Sequence, residues 1–337
     1  MLTLGIESSC DETSASVVLD GKTVLSNIIA SQHEIHTLYG GVVPELACRK
    51  HIENIGPVVS EALKEAGKEI ETIDLISVTA GPGLVVALLV GLSYAKGLAY
   101  AMGKPLVGVN HLEGHMLSIF LENPNINFPF ISLIVSGGHT DIYRVMDFGN
   151  YSLIGRTRDD AAGEALDKGA KLLGLGYPGG PEIERRANAV NPAKISFPRI
   201  FLEKGSLDFS FSGLKTALRN YLAKTYEDGI PEIDIPDIAA SYQQAVIDTL
   251  THKVITAATR EEISTLVVAG GVAANKTLRN AIQSKADEEG MTAHFPSPVL
   301  CTDNAAMIAC AGYHRYIANP EKFNNFLELD ADSRMKV

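Results

Sequence analysis

Residues 2–19 read LTLGIESSCDETSASVVL and indicate how the chain begins to fold. The apolar pattern predicts a strand at 2–6, a polar turn at 7–13 and a second strand at 14–19. Asp20-Gly21 is a strong hairpin signal that leads to a third strand at 24–30. The chain is therefore expected to open with three consecutive strands.

The same pattern returns at residues 130–146, FISLIVSGGHTDIYRVM, which predicts a strand, a polar turn and a strand. Each half also carries a buried strand, a glycine break and a helix, with breaks at Gly81-Pro82-Gly83 and Gly270-Gly271. Such duplication is typical of the α/β actin-like ATPase fold (actin–hexokinase–chaperone), in which two duplicated α/β domains lie around a nucleotide cleft. We expect an N-terminal actin-like domain at 1–110, completed by a C-terminal helix at about 303–320. The second domain, with helical insertions, is expected at 111–302.

Composition limits the partners and the compartment. The 337 residues carry a formal net charge of −11, which repels nucleic acid unless a basic patch or a basic partner compensates. The four cysteines lack CxxC spacing and are expected to be reduced thiols of a cytoplasmic protein. The most apolar stretch, 84–95, is too short to span a bilayer, and the N-terminus lacks a basic leader, so no membrane association is expected.

Two histidines lie four residues apart in HLEGH, residues 111–115, directly after an apolar strand at 105–109. On a helix, His111 and His115 share one face and can grip one metal ion. The alternative is a pair of helix-start histidines bonded to backbone, because two ligands alone do not hold a metal. Asp303 is the candidate third ligand, although an Asp that starts a helix is usually its N-cap. Two His and one Asp leave open positions, as a catalytic ion requires.

A zinc peptidase would need a carboxylate directly after the first histidine, as in HExxH. Leu112 occupies that position here. Glu113 lies about 200° round the helix from His111 and therefore points away from an ion held by the histidines. Peptidase chemistry would therefore lack its usual base.

The two polar turns are candidate phosphate sites, because small residues expose backbone N–H groups and hydroxyls. In the first turn, Asp11 and Glu12 would repel a phosphate, so they indicate a nearby cation or a proton transfer. A lone polar turn is usually only a turn, but two in matching places favour function. The candidate phosphate-turn residues are Ser8, Ser9 and Thr13 in the first turn, and Ser136, Gly137, Gly138, His139 and Thr140 in the second.

Eight segments, in one order over residues 2–317, resemble the TsaD family of tRNA adenosine threonylcarbamoyltransferases, formerly called glycoproteases. They are GIESSCDET (5–13), GGVVPE (40–45), TAGPGL (79–84), HLEGH (111–115), VSGGHT (135–140), DDAAGE (159–164), FSFSGLK (209–215) and CTDNAAM (301–307).

The resemblance implies transfer of threonylcarbamoyl from threonylcarbamoyl-AMP to N6 of the adenosine 3′ of the anticodon in ANN-decoding tRNAs. It implies one divalent ion, Fe²⁺ or Zn²⁺, held by His111, His115 and Asp303. The implied partners are tRNA, a smaller actin-like TsaB-type paralogue and a small P-loop ATPase of TsaE type, with a homodimer as an open alternative. Glu184 stands where many members have Asp at the ribose. The other implied substrate-binding residues are Ile134, Val135, Ser136, Gly137, Gly138, Asp167, Gly180 and Asn275.

Because the adenylate is an activated mixed anhydride, the chain needs no nucleophile of its own, and Asp11 or Glu12 is the hypothetical proton acceptor. An ATP-dependent small-molecule kinase of the same fold is the main competing hypothesis, and a metallopeptidase is the third. Six basic residues are candidate tRNA contacts, with solvated helix faces as their ordinary interpretation. They are Arg185, Arg186, Lys204, Lys215, Arg219 and Lys224.

Overall fold

The computed structural model describes residues 1–188, 190–203, 205–227, 229–323 and 325–337. They form two compact units, Met1–Asn127 with Val299–Val337, and Phe128–Pro298. Lys204, one of the candidate tRNA contacts, lies outside the described residues.

The described chain alternates strands and helices as an α/β protein. The strands are β1 Leu2–Glu7, β2 Glu12–Leu19, β3 Thr23–Ser31, β4 Leu75–Gly81, β5 Leu106–Asn110, β6 Phe130–Val135, β7 Thr140–Asp147, β8 Asn150–Arg156, β9 Thr265–Ala269 and β10 Thr292–His294. The α-helices are α1 His33–Thr37, α2 Pro44–Glu65, α3 Val85–Met102, α4 His111–Leu117, α5 Ala162–Leu172, α6 Gly179–Arg186, α7 Ser212–Thr225, α8 Ile235–Glu261, α9 Lys276–Glu288, α10 Pro298–Cys301 and α11 Ala305–Ala318. Short 3₁₀ turns occur at Ile70–Thr72, Ser118–Leu121, Gly271–Ala274 and Pro320–Phe323.

The two sheets have the same topology. The first has the strand order β3-β2-β1-β4-β5, and the second, reversed, has β8-β7-β6-β9-β10. In each sheet the first three strands in sequence pair antiparallel, and the last two extend the sheet in parallel. This match confirms the predicted duplication of an α/β unit.

The core of the first unit lies between its sheet and helices α2 and α3. Leu4 and Ile6 of β1 pack with Ile55 and Val59 of α2 and with Leu92 of α3, all of them buried. Pro44 at the start of α2 has no N–H to leave unsatisfied, and Gly103 ends α3 in a left-handed conformation at φ 60°. These signals are local, so the sequence itself determines where the two helices begin and end.

Among the described helices, Val85–Met102 is long and apolar enough to cross a membrane, with a mean hydropathy of 1.6. A core helix of a soluble domain passes the same test, and Leu88, Leu92 and Ala95 of this helix are buried in the first unit. Its length and composition are therefore weak grounds for a membrane span, and the absence of a span stays a prediction.

The contact pattern divides the chain at other positions than the predicted 110/111 and 302/303. The first unit continues to Asn127 and resumes at Val299. The reason is packing, since α4 contacts β4, β5 and α11, all of which belong to the first unit. The histidine helix therefore completes the first unit and does not open the second.

Candidate functional site

Asn110 at the end of β5 determines where the histidine helix begins. Its Oδ1 accepts hydrogen bonds from the backbone N–H groups of Leu112, at 2.9 Å, and Glu113, at 3.4 Å. An N-cap of this kind satisfies donors that the helix itself leaves free. His111 is thus the first residue of α4, and His115 follows one turn later on the same face.

The carboxylate of Asp303 lies against both histidines. Its Oδ1 is 3.4 Å from Nε2 of His111 and 3.2 Å from Nε2 of His115. One ligand atom from each of the three residues lies within 4.8 Å of the others. A tetrahedral ion with bonds of roughly 2.1 Å separates its ligand atoms by about 3.4 Å. The donor types and spacings therefore fit a divalent metal ion.

Asp303 is available to the histidines because it does not cap α11. That cap is Asn304, whose Oδ1 accepts from the N–H of Met307 at 3.0 Å, while the N–H of Ala305 donates to Oγ of Ser14. The ordinary role of an Asp at a helix start is thus taken by its neighbour.

Charge and burial oppose one another in this cluster. Burial would raise the pKa of Asp303 and lower that of His111, but their mutual attraction outweighs it, so the pKa of Asp303 falls and that of His111 rises. Burial lowers the pKa of His115 despite its hydrogen bond to Asp303. Glu7, beneath His111, has its pKa lowered by that imidazole in spite of complete burial.

The structure brings Glu12 into electrostatic contact with the cluster. Burial, followed by the charges of Asp303 and Asp11, raises the pKa of Glu12 to about 10. Oγ of Ser31 donates a hydrogen bond to its Oε1 at 3.3 Å. Both influences favour the protonated carboxyl of Glu12, which leaves Asp11 as the stronger candidate for a proton acceptor.

Glu113 does not reach the histidine face. It is buried, and its Oε2 lies 3.2 Å from Nη1 of Arg315 on α11. The carboxylate that a peptidase would need beside the ion is therefore held elsewhere, as the sequence predicted.

The hydroxyls of the first turn are engaged inside the unit. Oγ of Ser8 donates to the carbonyl of Ala87, Oγ of Ser9 lies 3.2 Å from Nδ1 of His111, and Oγ1 of Thr13 lies 2.8 Å from Nδ1 of His51. All three serine and threonine side chains are buried. They hold the turn together, and their predicted role as phosphate ligands gains no support.

The second polar turn, at residues 136–139, exposes backbone N–H groups to solvent. Gly137 and Gly138 are exposed, and their N–H groups have no hydrogen-bond partner within the described residues. The carbonyl of Ser136 accepts from the N–H of Gly163 at 3.1 Å, which places the turn at the start of α5. Oγ1 of Thr140 accepts from the N–H of Ala162 and is buried, so it fastens the turn to α5 instead of facing a ligand. The N–H of His139 donates to Oγ of Ser136.

The other predicted substrate-binding residues of the second unit gather at the starts of α6 and α9. Asp167 accepts from the N–H of Gly179, the neighbour of Gly180, at 2.7 Å, and Glu184 accepts from the N–H of Lys276 at 2.7 Å. Asn275 caps α9 and also donates to Gln243. Ile134 and Val135 are buried in β6, so only their backbone can meet a ligand.

Sequence reasoning missed three residues that support the candidate metal site. Glu7 and Thr79 lie beneath His111, and Asn110 caps its helix. A usable signal was present for Glu7, because it is an acid at the end of an otherwise apolar strand and must find buried partners. The partners themselves are distant in sequence, so no local pattern identifies them.

Comparisons with known proteins show what the whole chain resembles. A sequence model of TsaD, described as tRNA N6-adenosine threonylcarbamoyltransferase, matches residues 23–310. A relative with that description from Moorella thermoacetica is 54% identical over 314 residues, which cover 93% of this chain and 92% of the relative. A relative from Clostridioides difficile, described in the same words, is 53% identical over 318 residues, or 94% of each chain.

Solved structures share the fold at low identity. Component A of the (R)-2-hydroxyglutaryl-CoA dehydratase from Acidaminococcus fermentans superposes with a TM-score of 0.54 at 18% identity, over 94% of this chain and 99% of that one. Full-length HypF gives a TM-score of 0.60 at 14% identity, over 97% of this chain and 46% of that one. Likeness at this identity concerns the fold alone, and the predicted actin-like α/β fold class is confirmed. Together with the family match across most of the sequence, this shows that the chain belongs to the TsaD family of tRNA N6-adenosine threonylcarbamoyltransferases.

Proposed function

We propose that this chain transfers the threonylcarbamoyl group from threonylcarbamoyl-AMP to N6 of the adenosine 3′ of the anticodon in ANN-decoding tRNAs. The observation that carries the proposal is the cluster of buried His111 and His115 with half-buried Asp303, in a chain 54% identical to a relative of that description. A divalent ion held there, Fe²⁺ or Zn²⁺, supplies Lewis-acid stabilisation and a template for the acyl group.

A carboxylate of the first unit accepts the proton that the reaction releases. The exocyclic amine of adenosine must lose a proton when it attacks the carbonyl carbon and AMP leaves. Asp11 stands in the turn that also carries Glu12, and Glu12 is within the field of Asp303. We assign the proton acceptor to Asp11, because burial and the neighbouring carboxylates of Asp303 and Asp11 disfavour the ionised form of Glu12 and raise its pKa.

The residues of the second unit bind the adenylate part of the donor. The unpartnered N–H groups of Gly137 and Gly138, next to the start of the eleven-residue helix α5, suit phosphate oxygens. We assign the nucleoside to the starts of α6 and α9, where Asp167, Gly180, Glu184 and Asn275 gather.

The tRNA requires help from partners, because a net charge of −11 disfavours an RNA backbone. Arg185 is paired with Glu182, and Arg186 with Glu232. Lys215, Arg219 and Lys224 on α7 form no ion pair within the described residues and are the better candidate contacts. We propose that a TsaB-type paralogue and a TsaE-type ATPase complete the binding surface, with homodimer formation as the alternative assembly.

We infer a cytoplasmic location from the proposed tRNA substrate. The four cysteines are consistent with a reducing compartment, because all of them lie in the described chain and no disulfide joins them.

A reconstituted reaction tests the proposal. Purified chain, metal-loaded with Zn²⁺ or Fe²⁺, is incubated with threonylcarbamoyl-AMP, an ANN-decoding tRNA transcript and the two partner proteins. The expected product is threonylcarbamoylated adenosine in the tRNA digest, and it should be absent when the acceptor adenosine is replaced by guanosine. A metal-free chain that phosphorylates a small molecule, or peptide cleavage without tRNA modification, would support the kinase or the peptidase instead.

A further inference from the structure

Glu7 is a completely buried carboxylate at the end of β1. A buried carboxylate is costly unless hydrogen bonds surround it. Its Oε1 accepts from the N–H of Ser9, and its Oε2 accepts from Oγ1 of Thr79 at 2.6 Å. The same Oε2 lies 3.1 Å from Nδ1 of His111. Both oxygens of Glu7 are therefore in use, and each partner is fixed in a strand, a turn or a helix start.

The contacts of His111 determine where its ring proton lies. Nδ1 lies near both Oε2 of Glu7 and Oγ of Ser9, and a hydroxyl can accept as well as donate, whereas a carboxylate only accepts. A bond between Glu7 and Nδ1 therefore requires the proton on Nδ1. In the neutral ring, Nε2 then carries the lone pair, and Nε2 is the atom that faces Asp303 at 3.4 Å. Carboxylate–histidine pairs of this kind orient metal ligands and set their tautomer.

We propose that Glu7 is a positioning residue, which holds His111 in the Nδ1–H tautomer and aims its Nε2 at a divalent cation. This inference rests on the metal site of the proposed function. It adds a residue that contacts one of the ligands and does not itself bind the ion. The two histidines are held unequally, because the buried Nδ1 of His115 has no hydrogen-bond partner within the described residues. His111 is thus anchored by a carboxylate, and His115 by its place on α4 and by Asp303.

The variant Glu7→Gln tests the role with little change of shape. Its amide NH₂ can donate to Nδ1 of His111, which would move the ring proton to Nε2, where it blocks a cation. Competition with a chromogenic chelator measures the Zn²⁺ affinity of this variant, and we expect a loss of 10- to 100-fold.

Ser16→Ala is the matched control, since it removes a buried hydrogen bond to the carbonyl of Ser26 in the same sheet. It should bind Zn²⁺ within about twofold of the wild type, because losing a hydrogen bond remote from the ligands costs stability instead of affinity. A folded Glu7→Gln chain with wild-type affinity overturns the proposal.

Two further measurements decide the matter if Glu7→Gln does not fold. Thr79→Val leaves Glu7 and His111 in place but removes one bond that steadies the carboxylate, so a smaller loss of Zn²⁺ affinity is expected. Nitrogen-15 NMR of the zinc-loaded wild type should show the proton of His111 on Nδ1 and zinc on Nε2. The opposite arrangement overturns the proposal. A wild type without Zn²⁺ affinity overturns the metal site as well, whereas normal binding in Glu7→Gln overturns the role of Glu7 alone.

Discussion

Asn304 caps α11 and leaves the carboxylate of its neighbour Asp303 to face His115, at 3.2 Å. The capping bond runs from the N–H of Met307 to Oδ1 of Asn304 at 3.0 Å, and the amide of Asn304 donates to the carbonyl of Thr302 at 2.8 Å. The helix cap and the candidate metal ligand are thus adjacent residues, and neither side chain has to serve both purposes.

Loss of this cap is expected to disturb both stability and metal binding. Asn304→Ala removes a buried cap, which should cost about 0.5–2 kcal/mol of unfolding free energy. Asp303 can then turn to the free N–H groups, so Zn²⁺ affinity should fall as well. Urea unfolding and chelator competition measure the two effects, with Asn304→Ser as the control that keeps a capping oxygen. Unchanged Zn²⁺ affinity in a folded Asn304→Ala chain would show that the cap does not orient Asp303.

The duplicated sheets and the candidate ligands could be named from the sequence for a physical reason. Alternating apolar residues and glycine breaks are local signals, and both halves carry them, so β1–β2 and β6–β7 were predicted with their turns. The two histidines share a face because of helical spacing alone, and Asp303 was the candidate third ligand, which the family resemblance then supported.

Contacts between residues far apart in the sequence could not be predicted from local patterns. Glu7 meets Thr79 and His111 only through the pairing of β1 with β4 and the placement of α4. The hydroxyls of Ser8 and Thr13 resemble phosphate ligands in sequence, yet their partners are residues 87 and 51. The first contact-based unit extends to Asn127, beyond the expected boundary at residue 110, for the same reason, since α4 packs against β4, β5 and α11.

Metal removal should lower the melting temperature of the wild type. A ligand that binds only the folded state at 100 times its Kd stabilises it by about 2.7 kcal/mol. The Zn²⁺-loaded chain should therefore melt several degrees above the chelated chain, and His115→Ala should remove most of that difference. Differential scanning calorimetry at equal protein concentration measures both. Identical melting of the loaded and chelated wild type would exclude a metal site linked to folding.

Gly5 allows α11 to approach β1 closely. A Cβ at this position would lie 2.2 Å from the carbonyl oxygen of Ala305 and 2.9 Å from the backbone N of Ala309. Gly5→Ala should therefore displace the start of α11 and cost about 1–3 kcal/mol or more. Gly97→Ala is the matched control, because a Cβ there meets nothing within 4 Å and should stabilise α3 by about 0.5–1 kcal/mol. Equal urea midpoints for the two variants would contradict this packing.

Burial raises the pKa of Asp141 to about 6 although Arg156 opposes the shift. Above pH 6 the folded state bears the cost of a buried charge, and this cost disappears as the pH falls toward 3.8, because the folded chain is protonated before the unfolded one. Asp141→Asn should thus stabilise the chain by on the order of 1–3 kcal/mol at pH 7.5 and by little at pH 4. Urea unfolding at the two pH values measures the difference. Asp147→Asn, at the exposed end of the same strand, controls for the loss of one negative charge, and a gain that does not depend on pH would contradict the assignment.

Asp11 and Glu12 should differ in their effect on transfer. Asp11→Asn removes the assigned proton acceptor and should slow single-turnover transfer by roughly 10²–10⁴-fold at pH 7.5, with little effect on adenylate affinity. Glu12→Gln replaces a group that is already neutral at that pH, since its pKa is about 10, so its rate should fall much less. Rapid quench with preformed threonylcarbamoyl-AMP measures the rates, and titration calorimetry measures the affinity. A normal rate in Asp11→Asn beside a large loss in Glu12→Gln would transfer the role to Glu12, and it would mean that the loaded site lowers the pKa of that carboxyl below neutrality.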